Sequence, residues 1–259
     1  MRRLTFIAAG LAACALAGCS SSSPGGSAGG SSSASSSGSI TVFAASSLTG
    51  AFNQLAQQFE TLHPGDKVTF SFGPSSGLAT QIINGAPADV FASAAPANMQ
   101  QVVTAGDASS PSNFARNILE IAVPPSNPAH VTSVDKLARS SVKVALCQPQ
   151  VPCGTVAAEV FKNAGIQVTP VTLQPDVKSV LAQIETGNVD AGMVYVTDVL
   201  AAGSKVKGIT IPAADNASTT YPIAPISKSS HVSVAQAFVA YVLSPAGQQV
   251  LTAAGFEKP

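Results

Sequence analysis

Two pairs of adjacent serines stand at equivalent places in this chain: Ser46-Ser47 in "FAASSLTG" (43–50) and Ser75-Ser76 in "FSFGPSSGLA" (70–79). In each, a short apolar run gives way to a helical pattern. Three kinds of chemistry use a serine so placed. A nucleophile elbow reads G-x-S-x-G between strand and helix, and Gly73-Pro74-Ser75-Ser76-Gly77 spells it. A capping serine accepts from the free amides of the helix it opens. An anion site uses those same amides together with the hydroxyl, because a helix N-terminus carries about half a positive elementary charge and up to four unpaired N–H groups.

The nucleophile reading, a secreted serine esterase using Ser75, is the enzymatic alternative, and it is poorly supplied. Only two strand candidates precede the motif, and no HGGG-type oxyanion segment is present. The three histidines stand in a polar turn (His63), in the Pro-rich "PPSNPAHV" loop (His130) and at the start of a surface-type helix (His231). A cap would explain either serine alone. Two Ser-Ser pairs at equivalent junctions favour anion binding, and neither junction contains Lys or Arg. Charge stabilisation must then come from dipoles and hydrogen bonds.

The surrounding pattern supplies elements to hold them. "ITVFAA" (40–45), "VTFSF" (68–72) and "ADVFAS" (88–93) read as strands. Leu48, Phe52, Leu55, Phe59 and Leu62 form a helical stripe after the first, Leu78, Ile82 and Ile83 one after the second, and 96–106 is helical after the third. "NILEIAV" (117–123) follows. The rhythm then resumes with strands at 142–146, 168–173, 190–196 and 208–212 and helices near 155–164, 176–186 and 195–202. A strand at 220–227 and helices at 233–243 and 245–254 close the chain. Repeated β-α-β units predict an α/β protein with mainly parallel sheets and helices on both faces. Two similar sets suggest two lobes, 40–121 plus 221–259 and 122–220, with ligands bound at the carboxyl ends of the strands.

Met1-Arg2-Arg3, an apolar run to Ala17 and "LAGC" (16–19) read as a secretory leader, 1–18. Residues 19–39 read as a tether, since Ser20 to Ser39 are only Ser, Gly, Ala and one Pro. Such a coil spans roughly 25 Å. Without Arg2 and Arg3, Lys+Arg falls from 13 to 11 against 13 Asp+Glu. A charge of about −2, no Trp and three Tyr give no case for nucleic acid. In an exported chain Cys147 and Cys153 of "CQPQVPC" are expected to pair as a disulfide; the alternative is two free small side chains.

The segments "TVFAASSLTGAF", "GPSSGLATQI", "GAPADVFASA", "VPCG", "PDVKSVLAQIETGNVDAGMVYVTD" and "YPIAPI" occur in order from Ile40 onwards. Together they resemble the molybdate-binding proteins of ABC importers, within the type II periplasmic-binding-protein fold, over essentially the whole folded part. "LAGC" likewise resembles a lipobox, with Cys19 acylated and the protein held on the outer face of the cell membrane. The resemblance implies a monomeric, non-enzymatic binding protein without cofactor or direct metal-ion ligands. It would capture molybdate or tungstate by hinge closure and pass it to the permease and ATPase subunits of an importer. The family's ligands would fall on the hydroxyls of Ser47, Ser75 and Tyr195 and on the amides of Cys153 and Val177. Cys153 departs from the family's usual alanine, which a backbone donor tolerates. Ser46 is left as support, Asp89 reads as a structural acid, and Arg116 and Arg139 sit in no ligand motif and are left unassigned. Another oxyanion such as sulfate is the alternative cargo.

Overall fold

The computed structural model describes residues 38–259. The leader, Cys19 and the tether up to Ser37 lie outside the described residues. Strand β1 (Ser39–Ala45) already includes the last residue expected in the tether, because Ser39 pairs with Lys67.

The first half of the chain builds β1, α1 (Thr49–Leu62), β2 (Lys67–Gly73), α2 (Ser75–Ile83), β3 (Val90–Ala92) and α3 (Pro96–Thr104). After the long β4 (Ser112–Val123), the same order recurs as β5 (Val144–Cys147), α4 (Pro152–Asn163), β6 (Thr172–Gln174), α5 (Val177–Glu185), β7 (Ala191–Tyr195) and α6 (Val196–Ala202). Strands β8 (Lys207–Thr210) and β9 (Ser218–Pro225) precede the closing helices α7 (Val232–Leu243) and α8 (Pro245–Ala253).

The strands lie in the order β2-β1-β3-β9-β4-β7-β5-β6, with β8 added beside β4. Each half therefore has its first strand in the middle, and the helical crossovers make β1 parallel to β2 and β3, and β5 parallel to β6 and β7. The connecting strands run against their neighbours: β9 is antiparallel to β3 and β4, and β4 to β7 and β8. Strand β4 joins the halves, pairing with β9 up to Ile118 and with β7 and β8 from Leu119.

Apolar regions form on both sides of that join. Phe52, Phe59, Phe238 and Leu251 belong to one, with Phe59 and Phe238 edge to face at 5.4 Å between ring centres. Val144, Val160, Val180 and Met193 belong to another. A fully buried Phe contributes about 1.5–3 kcal/mol by removal from water. The α1 stripe is therefore held mainly by Leu48, Phe52, Leu55 and Phe59, all 0 % exposed. Leu62, expected on that stripe, is 64 % exposed because α1 ends at the sheet's edge, and His63 covers Phe59 instead by stacking at 4.3 Å. The strand expected at 168–173 shortens to Thr172–Gln174. Pro170 has no N–H to give a ladder there. Conversely, β4 begins five residues before the run at 117, because β9 and a two-way backbone pairing between Arg116 and Glu257 supply its partners.

Candidate functional site

The carboxyl ends of all six parallel strands converge on one small cavity. The first half contributes Ala45, Ser46 and Ser47 after β1, Gly73, Pro74 and Ser75 after β2, and Ala94 after β3. The second half contributes Val151, Pro152 and Cys153 after β5, Asp176 and Val177 after β6, and Tyr195 at the end of β7. Ser47, Ser75, Cys153, Val177 and Tyr195, the five residues picked out in the sequence, thus share one wall system, and each is less than 7 % exposed.

Neither serine pair is spent on capping. Ser46 and Ser47 lie within a 3-10 turn whose preceding cap position is Ala45, and α2 is preceded by Pro74 with Ser75 as its first residue. No side-chain cap bond forms at either start. Instead Ser75 Oγ accepts from the Ala94 amide at 2.9 Å, and Ser47 Oγ lies 3.0 Å from Tyr221 Oη. Ser46 supports the turn through its carbonyl, which accepts from Thr49 Oγ1 at 2.7 Å.

The opposite wall offers backbone. Pro152 opens α4 without an N–H, so the first amide that helix presents is that of Cys153. Cys147, the last residue of β5, is disulfide-bonded to Cys153 with Cα atoms 5.7 Å apart, tying strand end to helix start. The turn between them is tight: a Cβ at Gly154 would lie 2.1 Å from the Gln148 carbonyl oxygen, so the glycine of "VPCG" is required by close approach. Val177 opens α5. Its side chain packs in the core with Val180, Leu181 and Ile184, while its amide, as a first-turn donor, has no intrahelical acceptor.

Tyr195 is 1 % exposed, and its hydroxyl has no hydrogen-bond partner among the described residues. Burial is the main cause that keeps this phenol well above its usual ionisation range, so it is a neutral donor. Its backbone N–H donates to Asp198 Oδ2 at 3.2 Å, and Asp198 Oδ1 pairs with Lys178 Nζ at 2.9 Å. Burial raises the Asp198 carboxyl, and Lys178 opposes that shift. The lysine next to Val177 is thereby engaged behind the cavity. No Lys or Arg lines the cavity, and its one acid, Asp176, caps α5 by accepting from Ser179 N at 2.9 Å.

The other sequence readings find separate places. Asp89 accepts from Thr41 N (2.7 Å) and Ser229 Oγ (2.5 Å), a bracing role. Arg116 is paired with Glu257. None of the three histidines lines the cavity, and Ser75 has an amide rather than an imidazole as partner. Sequence reasoning missed Tyr221, Thr219 and Ala94, since a strand pattern does not reveal which hydroxyl will face a serine more than 170 residues away. Among the described residues no cluster of His, Cys, Asp or Glu suits a metal ion, and no helix is long and apolar enough to cross a membrane.

Residues 40–257 match the family model of bacterial extracellular solute-binding proteins. The molybdate-binding protein ModA of Mycobacterium tuberculosis is 41 % identical over 245 residues, 94 % of this chain and 93 % of that protein. Among solved structures, the periplasmic molybdate-binding protein of Azotobacter vinelandii superposes with a TM-score of 0.75 at 24 % identity, covering 85 % of this chain and 99 % of that one. The sulfate-binding protein SubI of M. tuberculosis gives 0.76 at 18 %, covering 85 % and 86 %. Its relatives are solute-binding proteins, and this chain is a binding protein and not an enzyme. The chain belongs to the bacterial extracellular solute-binding proteins and has the two-lobed α/β fold of periplasmic binding proteins.

Proposed function

We propose that this protein captures molybdate, and tungstate with it, and delivers the anion to an ABC importer. The observation that carries the reading is that Ser47, Ser75 and Tyr195, with the helix-start residues Cys153 and Val177, come from both halves to line one cavity that no Lys or Arg lines. Ser47, Ser75 and Tyr195 donate from side chains, Cys153 and Val177 from backbone. A dianion accepting several charge-assisted hydrogen bonds, each worth about 1.5–3 kcal/mol, is held without a lysine or arginine. Lobes 40–121 plus 221–259 and 122–220 close about the crossing strands, so the ligand bridges them and the importer's permease and ATPase meet the closed form. Sequence likeness to ModA favours molybdate, whereas the similar fold of a sulfate-binding protein means that fold does not choose the anion. The protein acts as a monomer without a cofactor, anchored by lipid on Cys19 to the outer face of the membrane.

Calorimetry on the leader-free protein with molybdate, tungstate, sulfate and phosphate tests this. Molybdate and tungstate should bind alike and much more tightly than the others. Equal or tighter binding of sulfate would make sulfate the cargo.

A further inference from the structure

Strand β9 sets Thr219 and Tyr221 two residues apart, hence on one face. That face touches the supports of both site serines. Thr219 Oγ1 donates to the Ala94 carbonyl at 2.6 Å, and the Ala94 amide donates to Ser75 Oγ at 2.9 Å. Tyr221 Oη lies 3.0 Å from Ser47 Oγ, and Tyr221 is 0 % exposed.

A serine hydroxyl has one proton and two lone pairs. At Ser75 the partner is an N–H, which can only donate, so the serine proton is left for the cavity. At Ser47 the partner is a hydroxyl, and a bound anion decides the order. The anion accepts from Ser47, and Ser47 accepts from Tyr221. The reverse order would lose the charge-assisted bond from Ser47 to the anion and send the Tyr221 proton elsewhere. Its other polar neighbours are the Tyr195 hydroxyl and the Asn117 side chain. The Asn117 oxygen already accepts from Ile118 N at 3.1 Å, and its amide donates to Thr197 Oγ1 at 2.8 Å.

We infer that Tyr221 is a positioning and specificity residue: it holds Ser47 with its proton aimed into the cavity, so that the wall presents donors and disfavours an oxyanion that carries a proton of its own. The inference rests on the oxyanion reading above and extends it from which residues bind to why a protonated anion such as hydrogenphosphate is refused. Sulfate and molybdate, both unprotonated near neutral pH, are treated alike by this device and differ only in size.

The test is Tyr221→Phe in the full leader-free chain, with affinities for molybdate, sulfate and phosphate from calorimetry and from competition against bound molybdate at pH 7. Molybdate affinity should fall about tenfold, as for one lost hydrogen bond. The molybdate-to-phosphate ratio should fall about tenfold further, because Ser47 is then free to accept, while the molybdate-to-sulfate ratio stays constant. A purely structural role would weaken all three anions together, and an unchanged phosphate ratio therefore overturns the inference. Ser47→Ala provides a second reading with Tyr221 in place, and must lower the same ratio. Adding Tyr221→Phe to it should change that ratio no further; an additional drop would mean that Tyr221 does not act through Ser47. If the wild-type protein binds none of these anions, the oxyanion reading fails. If it binds molybdate but the ratios stay fixed in both variants, only the role of Tyr221 fails.

Discussion

Tyr195→Phe separates binding from folding. The Tyr195 hydroxyl is fully buried yet makes no hydrogen bond to another described residue, while the ring packs edge to face against Tyr221 at 6.2 Å. Phenylalanine keeps the ring contact and removes the oxygen. The ligand-free protein should lose no stability, since no intramolecular bond is broken and a poorly satisfied buried hydroxyl is removed. Binding should suffer, because a hydrogen bond to a charged acceptor is worth about 1.5–3 kcal/mol, or roughly ten- to hundredfold in affinity. At a molybdate concentration about 100 times the wild-type Kd, ligand stabilises wild type by about 2.7 kcal/mol. With Kd raised ten- to hundredfold, the same concentration stabilises the variant by about 0.4–1.4 kcal/mol. Each kcal/mol corresponds to about 2–4 °C for a chain of this size. Thermal shift with and without molybdate should therefore show an unchanged or higher Tm without ligand and a much smaller rise with it. A lowered ligand-free Tm with an undiminished molybdate shift would refute the assignment of this hydroxyl to the ligand.

Ser75→Ala should differ from Tyr195→Phe, because it also strands the Ala94 amide. Expected are a comparable loss of affinity by calorimetry and a ligand-free destabilisation of about 1–3 kcal/mol by denaturant titration. Replacing Cys147 and Cys153 together by Ser opens a loop of six-residue separation, worth about 2 kcal/mol in chain entropy. Tm should fall and molybdate should bind more weakly, since the Cys153 amide is less firmly held; unchanged affinity would show that the bridge does not pre-organise that donor. Asp198 has its carboxyl raised by burial. Between its unfolded and folded pKa the native state binds more protons, so its contribution to stability falls as pH rises through that window. Asp198→Asn lacks that titration and should gain stability relative to wild type as pH climbs from about 4 towards neutral in Tm measurements; a relative loss would reverse the assigned sign.

Much of the architecture was legible because its causes are local. Leu48, Phe52, Leu55 and Phe59 announce α1 by spacing alone, and the helix expected from 176 opens behind the capping Asp176. Ser47 and Ser75 stood out because a strand followed by a helix leaves donors at its junction, whereas Cys153, Val177 and Tyr195 came only from the resemblance of their motifs to the molybdate-binding family. Long-range pairing was not legible. The beginning of β4 depends on β9 and on Glu257. By itself, then, the sequence determined the β-α-β elements, the chemistry at their ends and the capacity of Cys147 and Cys153 to pair. Only the tertiary structure decided that six strand ends meet at one cavity, that Lys178 turns to Asp198, and that Tyr221 stands behind Ser47. Those outcomes are set by register and packing between residues far apart in the chain, and no local periodicity encodes which side chains will meet there.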